Sequence, residues 1–239
     1  MTGDPHRATE QGATIIELLV ATALGLAAAG LCGQALTTHQ APYRSAVSAL
    51  DRAVQARFAM ALLSAELGAV VTAPRATGCP GFGPVVSDGR VEFVANLYDR
   101  DTALTHAVPA GAVVADVESA GSFEVNDTVL LVDVGEASDP SDDASQCVRL
   151  TAIVADRFTF DPALERRFPA GSPATLVNRV RYRLDNRGRL MRTQDGGTQR
   201  VADQVAAFHV GIAPRVASIG LTMQGGATHT RRVLLGEIE

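Results

Sequence analysis

Three groupings of side chains stand out by type and spacing. Arg179, Arg181 and Arg183 alternate with Val180, Tyr182 and Leu184. In an extended strand that alternation puts three guanidiniums on one face, a row suited to phosphate or carboxylate oxygens. Arg187, Arg189 and Arg192 follow in or after the next turn. Between positions 133 and 143 stand Asp133, Glu136, Asp139, Asp142 and Asp143. Calcium takes such oxygens, but the spacing lacks the glycine and closing glutamate of an EF-hand loop. A solvated loop without metal is the expectation. The third feature is Glu17, the one charge in an otherwise apolar run from Ala13 to Leu36.

Other chemistry is not indicated. His6, His39, His106, His209 and His229 are scattered, and no two have the spacing of a metal-binding pair. No nucleophile has a legible base, and no glycine-rich phosphate loop occurs. The chain is therefore expected to be no enzyme and to need no cofactor. Its net charge of −5 argues against a general nucleic-acid binder. For the arginine row, a wet strand face or a contact to an acidic neighbour is expected before DNA. All 21 basic residues are Arg, which reads as codon bias.

The elements that would position these groups begin with the apolar run. Its 24 residues span about 36 Å as a helix, enough to cross a bilayer. Gly25, Gly30 and Gly33 would weaken a soluble helix but let membrane helices approach closely. The run is too long, and its flank too poor in positive charge, for an ordinary secretory signal. Leu31 precedes Cys32, where a lipoprotein signal needs a small residue. A carboxylate in a spanning helix costs on the order of 3 kcal/mol, so Glu17 calls for a partner or a purpose. If the body is exported, Cys79 and Cys147, 68 positions apart, can pair. Closing such a loop would stabilise by about 4 kcal/mol in the chain-entropy model; two free buried thiols are the alternative.

Gly12, then "ATIIE", then "LLVATALGLAAAGL" resembles the class III leader of type IV pilins and pseudopilins. The resemblance implies cleavage after Gly12 by a prepilin peptidase and N-methylation of Ala13. Cleavage would turn a neutral amide into a positive α-amine, which Glu17 of a neighbouring subunit can pair with in a low-dielectric setting. Two departures stand beside the match: the first mature residue is Ala13, where the family favours Phe or Met, and "TEQG" lacks the usual basic residue.

Beyond the run, Val47, Leu50, Val54, Phe58, Ala61 and Ala65 recur at helical spacing, with Ser48, Arg52, Gln55 and Glu66 opposite. One helix is expected from about Ala13 to about Val71, kinked or interrupted at Pro42, with the apolar set facing the body. Strand-type runs follow: "RVEFVANL", "GAVVADV", "NDTVLLVDV", "CVRLTAIVADRFTF", "TLVNRVRYRL" and "GRLMRT" joined across "DNRG", then "QVAAFHVGI", "VASIGLTMQ" and "HTRRVLLGEI". The order of "RFAMALLSAELGAVVTAPRATGC", "NDTVLLVD" and "VRYRLDNRGRLMR" resembles PilW-type minor pilins. The J-type minor pseudopilin of type II secretion is similar in plan.

The resemblance implies an α+β, type IV pilin-like fold: a long helix packed on antiparallel sheet. Its parts would be a leader 1–12, a membrane half 13–36, an amphipathic half 37–71 and a periplasmic head 72–239. The implied role is a minor pilin or pseudopilin in the inner membrane, with other pilins, the assembly platform and lipid as partners. The alternative is a single-span anchored binding domain that never polymerises.

Overall fold

The computed structural model describes residues 14–71, 76–77, 84–133, 144–213 and 215–235. Helix α1 (Ile15–Gly68) leads. Fifteen strands follow among the described residues: β1 (Ala76–Thr77), β2 (Val85–Ser87), β3 (Arg90–Ala95), β4 (Asp101–Ala103), β5 (Val114–Asp116), β6 (Thr128–Asp133), β7 (Ala144–Val154), β8 (Arg157–Asp161), β9 (Pro173–Leu176), β10 (Asn178–Leu184), β11 (Leu190–Gln194), β12 (Gly197–Ala202), β13 (Val205–Ala213), β14 (Val216–Met223) and β15 (Thr228–Leu234). Contacts divide the chain into two units, Met1–Asp51 and Arg52–Glu239.

The first unit is helix. Its most apolar 18-residue window has a mean hydropathy of 2.2, and none of that window is buried. The helix is thus long and apolar enough to cross a membrane. The hydroxyls of Thr22, Thr37 and Thr38 donate to carbonyls three or four residues back, which satisfies them without water. Pro42 lies inside the helix and does not interrupt it.

The second unit opens with the last turns of α1. Ala56, Ala59, Met60, Leu63 and Leu67 are buried, a stripe at helical spacing. They share one core with Val91, Phe93, Val180, Tyr182 and Leu190 of a five-stranded antiparallel sheet, ordered β12-β11-β10-β3-β2. The same core takes in Phe208, Val210, Ile219 and Leu221 of the three-stranded sheet β13-β14-β15. Chain exit is fixed by backbone bonds: Val71 N donates to Val94 O, and Asn96 N to Ala69 O. A seven-stranded sheet, ordered β4-β9-β6-β7-β8-β5 with β1 parallel to β7, has its own core. There Phe123 meets Phe158 edge-on at 5.1 Å, beside Leu104, Leu150, Phe160 and Phe168.

Two expectations are corrected here. The first is the α+β, pilin-like body. Among the described residues the body is three sheets, antiparallel but for the short β1–β7 pair, with two main cores, and the larger sheet's core contains no helix residue. Short strands close on their neighbours across tight turns with positive φ, among them Asn126, Ala155 and Asp195. Most apolar strand faces are thus covered by other strands. The second concerns the helix face. Val54 and Phe58 are exposed, and so are Ala61 and Ala65. Glu66, assigned to the solvent side, is buried. The stripe of small residues and Leu packs closer to the sheets than the bulkier set could.

Candidate functional site

Glu17 has a local partner. Thr14 precedes the helix, and its amide N donates to Glu17 Oε2 at 2.9 Å, while Glu17 N donates to Thr14 Oγ1 at 3.3 Å. This reciprocal pair is a capping box, which satisfies two amide donors at the open helix start. The sequence carried the signal in Thr14-Ile15-Ile16-Glu17, and the reading of Glu17 as an assembly group passed over it. Gly12 and Ala13 lie outside the described residues.

The arginine row forms a larger cluster than the alternation showed. β3 pairs antiparallel with β10, placing Arg181 opposite Glu92 and Arg183 opposite Arg90. Glu92 accepts from Arg181 Nε at 2.9 Å, from Arg179, and from Arg90. The carboxylate side chain is 13% exposed, whereas those of Arg90, Arg179 and Arg181 are 44%, 49% and 37% exposed. One sunken acid thus lies beneath three half-exposed cations. Burial works against its ionisation, but the hydrogen bonds from Arg181, Arg90 and Arg179 prevail and hold its pKa at about 2. Arg183 has no ion-pair partner among the described residues. A concavity of about 420 Å³ adjoins the cluster, lined by Thr128, Arg179, Arg181, Thr193 and Asp195. Arg90 and Glu92 were legible in "RVEFVA", whose period of two matches that of β10.

On the opposite face of the same sheet lies a buried charged group. Arg192 Nε donates to Glu66 Oε1 at 2.8 Å, and Tyr182 Oη to Glu66 Oε2 at 2.5 Å. Arg192 also reaches Gln194, which donates to Tyr98 Oη at 2.9 Å. Burial, and then the adjacent Glu66 carboxylate, push the Tyr182 phenol well above its ordinary range. Burial alone would lower the Arg192 pKa, but hydrogen bonding to Glu66 raises it. Helix and sheet are thereby joined in one register.

A second concavity, of about 380 Å³, lies on β13-β14-β15 and is lined by His209, Ser218, Thr230 and Arg232 among others. The imidazole of His209 covers Gly220, where an added Cβ would fall 1.9 Å from His209 Cε1. Only glycine leaves that seat open.

No family model matches the chain, and no curated protein does. Three solved structures show local likeness. The tailspike protein gp49 from Pseudomonas phage LKA1 is 17% identical over 32% of this chain and 14% of its own, with a TM-score of 0.27. The Gp54 tailspike of Acinetobacter baumannii bacteriophage AP22, solved with A. baumannii capsular saccharide, is 9% identical over 39% and 15%, at 0.28. The phage phi92 endosialidase is 11% identical over 64% and 34%, at 0.22. The chain spans at most about a third of any of these, and at such TM-scores none carries an argument about this chain.

The remaining candidates are placed as follows. Cys147 is buried on β7 and disulfide-bonded, and Cys32 is free; Cys79 lies outside the described residues. Asp133 ends β6 and is engaged within the molecule. Glu136, Asp139, Asp142 and Asp143 lie outside the described residues. No group of His, Cys, Asp and Glu able to hold a metal occurs among the described residues. What the geometry presents is a sheet face with part-exposed guanidiniums and an exposed apolar helix.

Proposed function

We propose that this chain is a membrane-anchored structural subunit of a type IV pilus or related secretion filament, a minor pilin or pseudopilin. A prepilin peptidase would cut after Gly12, and Ala13 would be N-methylated. The body would lie in the periplasm, and the assembly platform and other pilins would be its partners. One observation carries this reading: the apolar exposure of α1 does not stop where a bilayer would. Beyond the spanning segment, Leu50, Val54 and Phe58 are 64%, 57% and 58% exposed. Large apolar groups aligned on one helix face call for a covering partner, and a bundle of like helices supplies one. The support comes from this N-terminal helix and not from the body.

The capping box favours a second reading, a single-span anchor that never polymerises, because it gives Glu17 a purpose without a neighbour. Glu17→Gln separates the two. Glutamine closes the same box but carries no charge for a neighbour's α-amine. In a filament subunit, the variant is cleaved and membrane-bound yet absent from purified filaments and from complexes with other minor subunits. Assembly of Glu17→Gln at the wild-type level, or an intact Met1 in the mature protein by mass spectrometry, establishes the plain anchor instead.

A further inference from the structure

From Gln204 to Gly236 the sequence has no Asp or Glu, against Arg215, Arg231, Arg232, His209 and His229. This stretch forms the three-stranded sheet β13-β14-β15. A chain of net charge −5 thus carries one sheet whose only charges are positive. The arginines of β3 and β10 share Glu92. Arg231 and Arg232 make no ion pair among the described residues.

Register gathers the polar groups of this sheet on one face. His209, Gly220 and Thr230 stand in line across the three strands, and Gly211, Ser218 and Arg232 form the next line. Phe208, Val210, Ile219 and Leu221 alternate with them and take the other face, in the core. Gly211 and Gly220 leave the middle of the outer face without side chains of their own. Glycine weakens a strand interior and often marks a place of close approach. The His209 ring takes part of that space. A Cβ on Gly220 would fall within 2.7 Å of its Cε1, Nε2 and Nδ1, so the imidazole lies flat on the backbone. What remains is the concavity of about 380 Å³, where Arg231 and Arg232 supply the charge. Ser218 Oγ donates to Gly211 O at 3.2 Å. That leaves Thr230 and the imidazole as the neutral donors beside the two guanidiniums.

We propose that this concavity binds a phosphate group carried on a ligand of sugar size. Charge favours phosphate: a phosphate monoester carries about −1.5 to −2 at pH 7, which two guanidiniums balance, whereas one suffices for a carboxylate. Shape points the same way. A single guanidinium fork satisfies both oxygens of a carboxylate, whereas phosphate has a further oxygen to accept from Thr230 or His209. The volume exceeds what one phosphate fills and lies at the lower end of small-molecule sites, about 300–1,000 Å³. A soluble sugar phosphate and a lipid headgroup both present this chemistry. The site stands whether or not the chain polymerises.

The test is calorimetric titration of the full chain in maltoside micelles, which are uncharged and free of phosphate. Salt is kept at about 150 mM, so that diffuse attraction is screened beyond about 8 Å. Glucose 6-phosphate should bind and glucose should not. Glucuronate, with less charge and one oxygen fewer, should bind at least about tenfold more weakly. A water-soluble short-chain phosphatidic acid separates the sources: tighter binding than glucose 6-phosphate assigns the site to a headgroup, and weaker binding assigns it to a soluble ligand. Arg232 and Thr230 are exposed, so substitution keeps the fold. Arg232→Gln and Thr230→Val should each weaken glucose 6-phosphate by about tenfold, the usual worth of one hydrogen bond to a charged group. A merely wet basic face would respond to Arg232→Gln and ignore Thr230→Val, so wild-type affinity in Thr230→Val overturns the proposal. Failure of both phosphate probes to bind, glucuronate binding as tightly as glucose 6-phosphate, or binding confined to a DNA duplex overturns it as well.

Discussion

Glu66→Ala should be among the most damaging single changes in the body. It leaves the Arg192 guanidinium buried without its carboxylate, and breaking such a pair costs about 3–5 kcal/mol. Glu66→Met with Arg192→Leu and Tyr182→Phe should recover most of that, because no charge or phenol is then stranded. Urea denaturation of the detergent-solubilised chain measures both. Glu92 makes a pH prediction. Its folded pKa, about 2, lies below the usual value of 4.5, so its ion pairs stabilise the fold above about pH 4.5 and that contribution is lost as pH falls toward 2. Glu92→Gln should lower the melting temperature at neutral pH and converge on the wild type near pH 2, which flattens the acid limb of thermal stability across that window. These two acids were unequally legible. Glu92 shares the period of its strand and sits opposite an alternating arginine row. Glu66 could not be placed from the helix pattern, because burial of a charge depends on a partner 126 positions away.

At the scale of elements, the helix stripe makes the sharpest claim. Val54→Ser with Phe58→Ser removes apolar surface that the body does not cover. Body stability should change by less than about 0.5 kcal/mol for each residue, while recovery of the chain with filaments should fall severely. A stability loss of several kcal/mol would place those side chains against the body after all. The strands were well marked by their β-branched and alternating runs. β10 and β11 meet across Asp185–Gly188 as the "DNRG" reading required, with Asp185 Oδ1 accepting from Arg187 N and Arg189 N. β2, β4 and β12 were not foreseen, being short or largely polar: Thr198, Gln199 and Arg200 are exposed. Such strands follow from the ladder beside them and not from their own composition. The helix face was misjudged because large apolar residues were taken as the inner set, whereas close approach to a sheet selected Ala56 and Ala59.

For the molecule as a whole, separate sheet cores make covalent closure matter. Cys147 lies with Val94, Leu130, Val132 and Val177 in a small cluster drawn from β3, β6, β7 and the segment after β9. Non-reducing peptide mapping of protein from its native envelope should find Cys79 as its partner, with Cys32 alkylatable; a different pairing, or free thiols at both positions, defeats this expectation. Sheet grouping was the least legible property, since hydrophobic alternation marks a buried face without saying what covers it. The strap formed by residues 52–68 has a further, mechanical consequence. Ala56, Ala59, Met60, Leu63 and Leu67 hold it along its length, and Glu66 pins its last turn. Tension applied along the helix axis must shear these contacts together and cannot peel them one by one. Pulled by its N-terminal side in an optical trap, the body should therefore yield in one abrupt high-force event, and Glu66→Gln should lower that force more than it lowers the melting temperature.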